Sequence, residues 1–183
     1  MRGLIALIFG LMLAAAVDTV AYAQPQSGRG KHTYDNGTYE GDFVNGQPHG
    51  RGVYAFSSGN RYEGEFRNGK RHGRGKFLWV ASGNTYDGAW VEDQRTGFGL
   101  FVWANGDRYE GQWRDSKSTG RGVQVWANGD RYDGEWQNDL AHGQGTKTTR
   151  EGQTYRGTWT NGCFRQGSRW STAGATAKDC GFP

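Results

Sequence analysis

The chain has 183 residues and a formal net charge of +4, with 32 Gly, 8 Trp, 9 Tyr, 9 Phe and only 2 Cys. After residue 23 there is no Ile or Met, and the only leucines are Leu78, Leu100 and Leu140. That composition excludes a core built from aliphatic side chains, and so small a positive balance in a chain that reads as exported does not suit a nucleic-acid binder.

Residues 1–23 come first in chain order. Arg2 opens the segment, Leu4 to Val17 is apolar, and Ala21-Tyr22-Ala23 places small residues where a leader is cut. This is the pattern of a secretory signal peptide. The expected location is therefore periplasmic or secreted. The alternative is anchoring by an uncleaved leader, but the apolar run is short of the roughly 20 residues that span a bilayer.

A half unit follows at 24–38, with Gly28-Arg29-Gly30 and Asn36-Gly37. From 39 to 162 the chain repeats. Tyr39, Tyr62, Tyr86, Tyr109, Tyr132 and Tyr155 open six units. Each is followed at +2 by glycine (Gly41, Gly64, Gly88, Gly111, Gly134, Gly157) and at +4 by a ring (Phe43, Phe66, Trp90, Trp113, Trp136, Trp159). The first five units add Gly-x-Gly, at Gly50/Gly52, Gly73/Gly75, Gly97/Gly99, Gly120/Gly122 and Gly143/Gly145. A fixed period of this length signals an array.

Period-2 alternation makes each unit a β-hairpin. In 108–113, Tyr109, Gly111 and Trp113 share one face, and Arg108, Glu110 and Gln112 share the other. Gly120, Gly122, Gln124 and Trp126 line one face of the returning strand. Glycine weakens a strand, but a ring can cover a bare backbone. Tyr109 and Trp113 are thus expected across Gly120 and Gly122. Asn45-Gly46 and Asn68-Gly69 suit tight turns with positive φ. Asp93-Gln94 and Asp115-Ser116 lack that glycine, so differently built loops are expected there.

The stretches YEGDFVNGQPHGRGVY (39–54), YEGEFRNGKRHGRGKF (62–77) and YDGEWQNDLAHGQGTK (132–147) resemble MORN repeats, a unit of this length with Y-x-G-x-W followed by G-x-G. The resemblance covers 39–162, with a weaker half unit from 28. Arg156 stands where the other units have an acid, and the sixth unit lacks the G-x-G. The resemblance implies an all-β, elongated single-layer antiparallel sheet of successive hairpins, spanning roughly 50 Å at about 4.8 Å per strand. Larger relatives attach such repeats to kinase or methyltransferase domains, and a kinase activity inherited from them is unsupported here. Family members have been discussed as lipid binders.

Residues 163–183 carry Cys163 and Cys180, which an oxidising compartment would join. A bridge closing a loop of this size stabilises by roughly 3 kcal/mol, making the tail a C-terminal cap.

Candidate chemistry is sparse. His49, His72 and His142 recur at one position, but repeats spaced ~9.6 Å apart cannot converge on one ion. Glu40, Glu63, Asp87, Glu110 and Asp133 form a row, with Arg61, Arg108 and Arg131 two residues before Glu63, Glu110 and Asp133. A ladder of ion pairs explains that row better than an acid–base pair. No nucleophile motif or phosphate loop is present, so no enzyme activity, metal or cofactor is expected.

Lys70, Arg71 and Arg74 form a basic loop and, with Arg61, Arg108 and Arg131, are the candidate binding residues. The sequence points to a non-catalytic scaffold of the cell envelope that binds a protein partner. Binding of anionic lipid head groups or glycan is the alternative. A homo-dimer through open edges or faces is a further possibility.

Overall fold

The computed structural model describes residues 24–183, so the leader pattern lies outside the described residues. Twelve strands form one sheet: β1 (Gly28–Tyr34), β2 (Gly37–Val44), β3 (Gln47–Phe56), β4 (Arg61–Arg67), β5 (Lys70–Trp79), β6 (Asn84–Val91), β7 (Gln94–Val102), β8 (Arg108–Arg114), β9 (Lys117–Val125), β10 (Arg131–Gln137), β11 (Leu140–Thr148) and β12 (Thr154–Trp159). They pair in sequence order, antiparallel throughout. β13 (Cys163–Gln166) and β14 (Arg169–Thr172) make a separate two-stranded sheet. β1 stands alone as the half unit, and β2–β3 through β10–β11 are the five full hairpins.

Each hairpin contains an irregularity at its G-x-G. Gly111 faces Gly122 but Gln112 faces Thr119, so Gly120 and Arg121 are extra on β9. The extra glycine takes φ +55°, a left-handed conformation that other residues rarely adopt. The two glycines of the motif therefore have separate jobs. The first turns the bulge. The second lies bare beneath the tyrosine of its own unit, where a Cβ on Gly122 would fall 2.6 Å from Tyr109 Cζ.

This refines the expected packing. Tyr109 covers Gly111 and Gly122 but not Gly120, whose Cβ would meet Gln112 instead. Trp113 lies toward the preceding unit, pairing with Gly97 and donating from Nε1 to Gly99 O at 3.1 Å. It is Trp136 that pairs with Gly120 and donates to Gly122 O. Trp90 and Trp159 repeat the bond to Gly75 O and Gly145 O. Phe43 and Phe66 have no N–H with which to make it.

The core is a ladder of rings. Tyr109 stands edge-on between Trp113 and Trp136, 5.2 Å from each. Tyr39, Tyr62, Tyr86 and Tyr132 are likewise held between their own ring and that of the next unit. Each such pair contributes about 0.5–1.5 kcal/mol beyond area burial. The five tyrosines are buried, and their hydroxyls donate to the carbonyl three residues on: Asp42, Glu65, Ala89, Gln112 and Glu135. Rings thus supply both the apolar mass and the hydrogen bonds that pin each bulge.

The expectation of differently built loops at Asp93 and Asp115-Ser116 is corrected. The turns inside all five full hairpins, and the Asn161-Gly162 turn after β12, are alike, with two consecutive left-handed residues, as at Asn45-Gly46, Glu92-Asp93, Asp115-Ser116 and Asn138-Asp139. What offsets the cost of a non-glycine residue is a bond to the preceding unit. Asp93 Oδ1 accepts Arg71 N, Ser116 Oγ accepts Arg95 N, and Asp139 Oδ1 accepts Ser118 N. Where the preceding residue is Pro48, with no N–H, the turn carries Gly69. At the last turn, Gly162, the acceptor for Ala141 N is Ala173 O from the tail.

Both ends of the array are closed. Gln26 O accepts Gly46 N, and Pro25 packs over Gly30, so residues 24–27 occupy the place of an earlier unit. At the other end Cys163 and Cys180 are joined, Phe164 packs tilted with its centroid 5.2 Å from that of Trp159, and Lys147 Nζ donates to Thr172 O. The tail therefore caps the aromatic face over the last two units.

Candidate binding face

The two faces of the sheet differ in chemistry. On the outer face a cross-strand row runs Lys31, Glu40, Val53, Glu63, Lys76, Asp87, Leu100, Glu110, Val123, Asp133. The expected ion pairs are present at Arg61–Glu63 (2.7 Å) and Arg131–Asp133 (2.6 Å), with a looser Lys31–Glu40. These exposed pairs contribute little individually. Arg108 lies on the same face, and among the described residues it forms no ion pair.

The histidines belong to this outer face. His49 is the cross-strand partner of Asp42, and His72 of Glu65. Thr96 and Thr119 instead meet the neutral Ala89 and Gln112. Nδ1 of His49, His72 and His142 is buried without a partner. Among the described residues no group of His, Cys, Asp and Glu is placed to hold a metal.

Residues at Tyr+3 have a role that sequence inspection missed. Asp42, Glu65, Gln112 and Glu135 accept the bulge N–H of Arg51, Arg74, Arg121 and Gln144. Unit three has Ala89 instead. There the bulge residue is Phe98, 62% exposed on the outer face. Sequence alignment of the units shows the substitution, but only the bulge geometry shows what it removes.

The basic loop does not form one patch. Lys70 is paired with Glu92 at 2.6 Å, and Arg74 lies on the outer face. Arg71 turns to the aromatic face. Its guanidinium lies 4.5 Å from the Trp90 ring and 5.0 Å from Phe77, with Nε donating to Asp93 Oδ1 at 2.8 Å. Arg95 repeats this one unit later, 4.5 Å from Trp113 and 5.1 Å from Phe101, donating to Ser116 O. Burial lowers the pKa of Arg95 from its usual value.

The aromatic face carries a second tier of rings beside the tyrosines. Tyr34, Tyr54, Phe56, Trp79, Trp103 and Trp126 are half-buried. Among the described residues, a larger and a smaller cavity open on this face. The larger, about 530 Å³, lies over the first units and is lined by Tyr34, Tyr54, Phe56, Phe66, Pro48 and Arg71 among others. The smaller, about 210 Å³, lies over unit four against Tyr109, Trp113, Trp136 and Ser118. Between them Arg71 and Arg95 cover the equivalent rings.

Burial pushes the hydroxyls of Tyr39 and Tyr86 up to about 12, and raises those of Tyr62, Tyr109 and Tyr132 as well. These phenols stay neutral donors at physiological pH rather than proton-transfer groups.

The family comparison agrees with this architecture. The family model described as MORN repeat matches residues 39–61, 62–83, 86–108, 109–131 and 132–154. Among curated proteins nothing matches the sequence. Among solved structures, the SAS-4 (dCPAP) TCP domain of Drosophila melanogaster, in complex with a proline-rich motif of Ana2 (dSTIL), is similar at 13% identity and a TM-score of 0.41. That match covers 84% of this chain and 99% of that one.

Proposed function

This chain belongs to the MORN-repeat family, and from that premise we propose that it is a non-catalytic scaffold of the cell envelope whose aromatic face holds a protein partner. MORN arrays are generally binding modules, a non-catalytic type of fold. The observation that carries the reading is the open stretch of half-buried rings around the larger cavity, on a face whose far end is closed by the tail. Aromatic and arginine side chains are the residues that anchor protein interfaces. The outer face, by contrast, is charged and solvated, with three exposed ion pairs along its row. Placement at the envelope rests on the leader pattern of residues 1–23.

The competing reading is anionic lipid or glycan. Division of Lys70, Arg71 and Arg74 among an ion pair, the aromatic face and the outer face gives no observation that favours a head-group site. Crosslinked capture from an envelope fraction across a salt series separates the two. A partner held on rings survives high salt and is lost in Tyr54→Ala/Phe56→Ala. Vesicle binding that falls steeply with salt and vanishes in Lys70→Ala/Arg74→Ala would instead support lipid.

A further inference from the structure

The smaller cavity occupies a position that, two units earlier, is filled by the chain's own arginine. In unit two, Arg71 is surrounded by Tyr62, Phe77, Trp90 and Asp93. One period-pair later the equivalent positions are Tyr109, Gln124, Trp136 and Asp139, and the arginine has become Ser118. All five of these residues line the cavity.

The backbone frame is the same in both places. Asp93 N donates to Arg71 O and Arg71 N to Asp93 Oδ1; Asp139 N donates to Ser118 O and Ser118 N to Asp139 Oδ1. Asp139 Oδ1 therefore stands where Asp93 Oδ1 receives the guanidinium Nε. Among the described residues Asp139 has no ion-pair partner. Its charge is nonetheless felt inside the site, because it adds to the burial that raises Tyr109.

The remaining difference also points one way. Phe77 and Phe101 lie beneath Arg71 and Arg95, and at the matching position stands Gln124. That side chain is 6% exposed and, among the described residues, makes no hydrogen bond. Its amide oxygen is a free acceptor for an N–H donor entering the cavity. Asp107, on the cavity wall, adds a second carboxylate, with its Oδ1 accepting Ala127 N and its Oδ2 accepting Asn105 Nδ2.

We propose that this cavity is a receptor for an arginine side chain of a partner protein, whose guanidinium stacks on Trp136 and donates to Asp139 and Gln124, as Arg71 stacks on Trp90 and donates to Asp93. The assignment deepens the protein-binding reading above by naming one group that the partner brings. The larger cavity does not share this chemistry. There the equivalents of Ser118 and Asp139 are Pro48 and Gly69, so its turn supplies no carboxylate, and the Asp93 on its wall is already paired with Arg71.

The test titrates the purified protein with Nα-acetyl-arginine methylamide and, separately, with its citrulline analogue, a neutral isostere. Binding is read from the indole N–H resonances of Trp113 and Trp136. The arginine probe should shift these saturably, and the citrulline probe should bind at least about tenfold more weakly, the loss of a desolvated cation–π contact. Ser118→Arg should abolish probe binding by supplying the guanidinium from within, while the remaining indole resonances report an intact fold. Asp139→Asn should weaken binding several-fold. Equal binding of the citrulline probe, unchanged binding in Ser118→Arg, or no saturable shift would each overturn the proposal. The titration uses no partner protein, so it fails or succeeds separately from the envelope capture.

Discussion

Alanine at position 122 puts the packing of rings on bare backbone under direct strain. The new Cβ would fall 2.6 Å from Tyr109 Cζ and 2.7 Å from Cε2, about an ångström inside ordinary carbon contact of roughly 3.5–4.0 Å. Tyr109 is buried and cannot swing aside without leaving Trp113 and Trp136, each 5.2 Å away. Overpacking of this kind costs about 1–3 kcal/mol. Displacing the hydroxyl from Gln112 O adds about 1 kcal/mol. We expect a total near 3 kcal/mol, although in an ordinary strand alanine for glycine would stabilise by roughly 0.5–1 kcal/mol. Gly69→Ala is the control. Its φ is +78° with nothing within 4 Å of a new Cβ, so only left-handed strain of about 1–2 kcal/mol applies. Urea unfolding measures both, and Tyr109→Leu closes a double-mutant cycle. Coupling between positions 109 and 122 should be on the order of 2 kcal/mol. Equal costs for Gly122→Ala and Gly69→Ala, with no coupling, would refute the packing argument.

Further outcomes follow from the same structure. Ala89→Gln should stabilise by about 1 kcal/mol, because it gives the Phe98 bulge amide the acceptor that Gln112 gives Arg121; thermal melting checks the sign. Starting from neutral pH, stability should hold to about pH 10 and fall between about 10 and 12. Tyr39 and Tyr86 have folded pKa values raised from 10.0 to about 12, so the folded state resists ionisation and loses that advantage as pH rises. Each contributes on the order of 2–3 kcal/mol, and tyrosinate absorbance should appear together with unfolding rather than before it. Replacing Cys163 and Cys180 by serine should cost roughly 3 kcal/mol by the chain-entropy model, with amide exchange rising first in β13 and β14.

Much of this was legible in one chain because the repeat compares each position with five others. The Tyr-x-Gly-x-ring alternation placed the aromatic face, and the paired glycines placed the second strand. The turns were not legible, because what stabilises Asp93, Ser116 and Asp139 lies one unit earlier, at Arg71, Arg95 and Ser118. Their link appears in sequence only as a covariation, with glycine at 69 where proline stands at 48. The division of the basic loop did carry a signal. Arg71 shares parity with Gly73, Gly75 and Phe77, whereas Lys70 and Arg74 have the opposite parity. The smaller cavity had none until Arg71 and Arg95 were seen lying on the rings.

The central claim is that the aromatic face, not the charged one, meets the partner. A photo-crosslinking residue placed at Tyr54 on the aromatic face and, separately, at Val53 on the outer face tests it directly, since these neighbours point to opposite sides of one strand. In an envelope fraction the probe at 54 should yield a discrete protein adduct and the probe at 53 none. The reverse pattern would contradict the account.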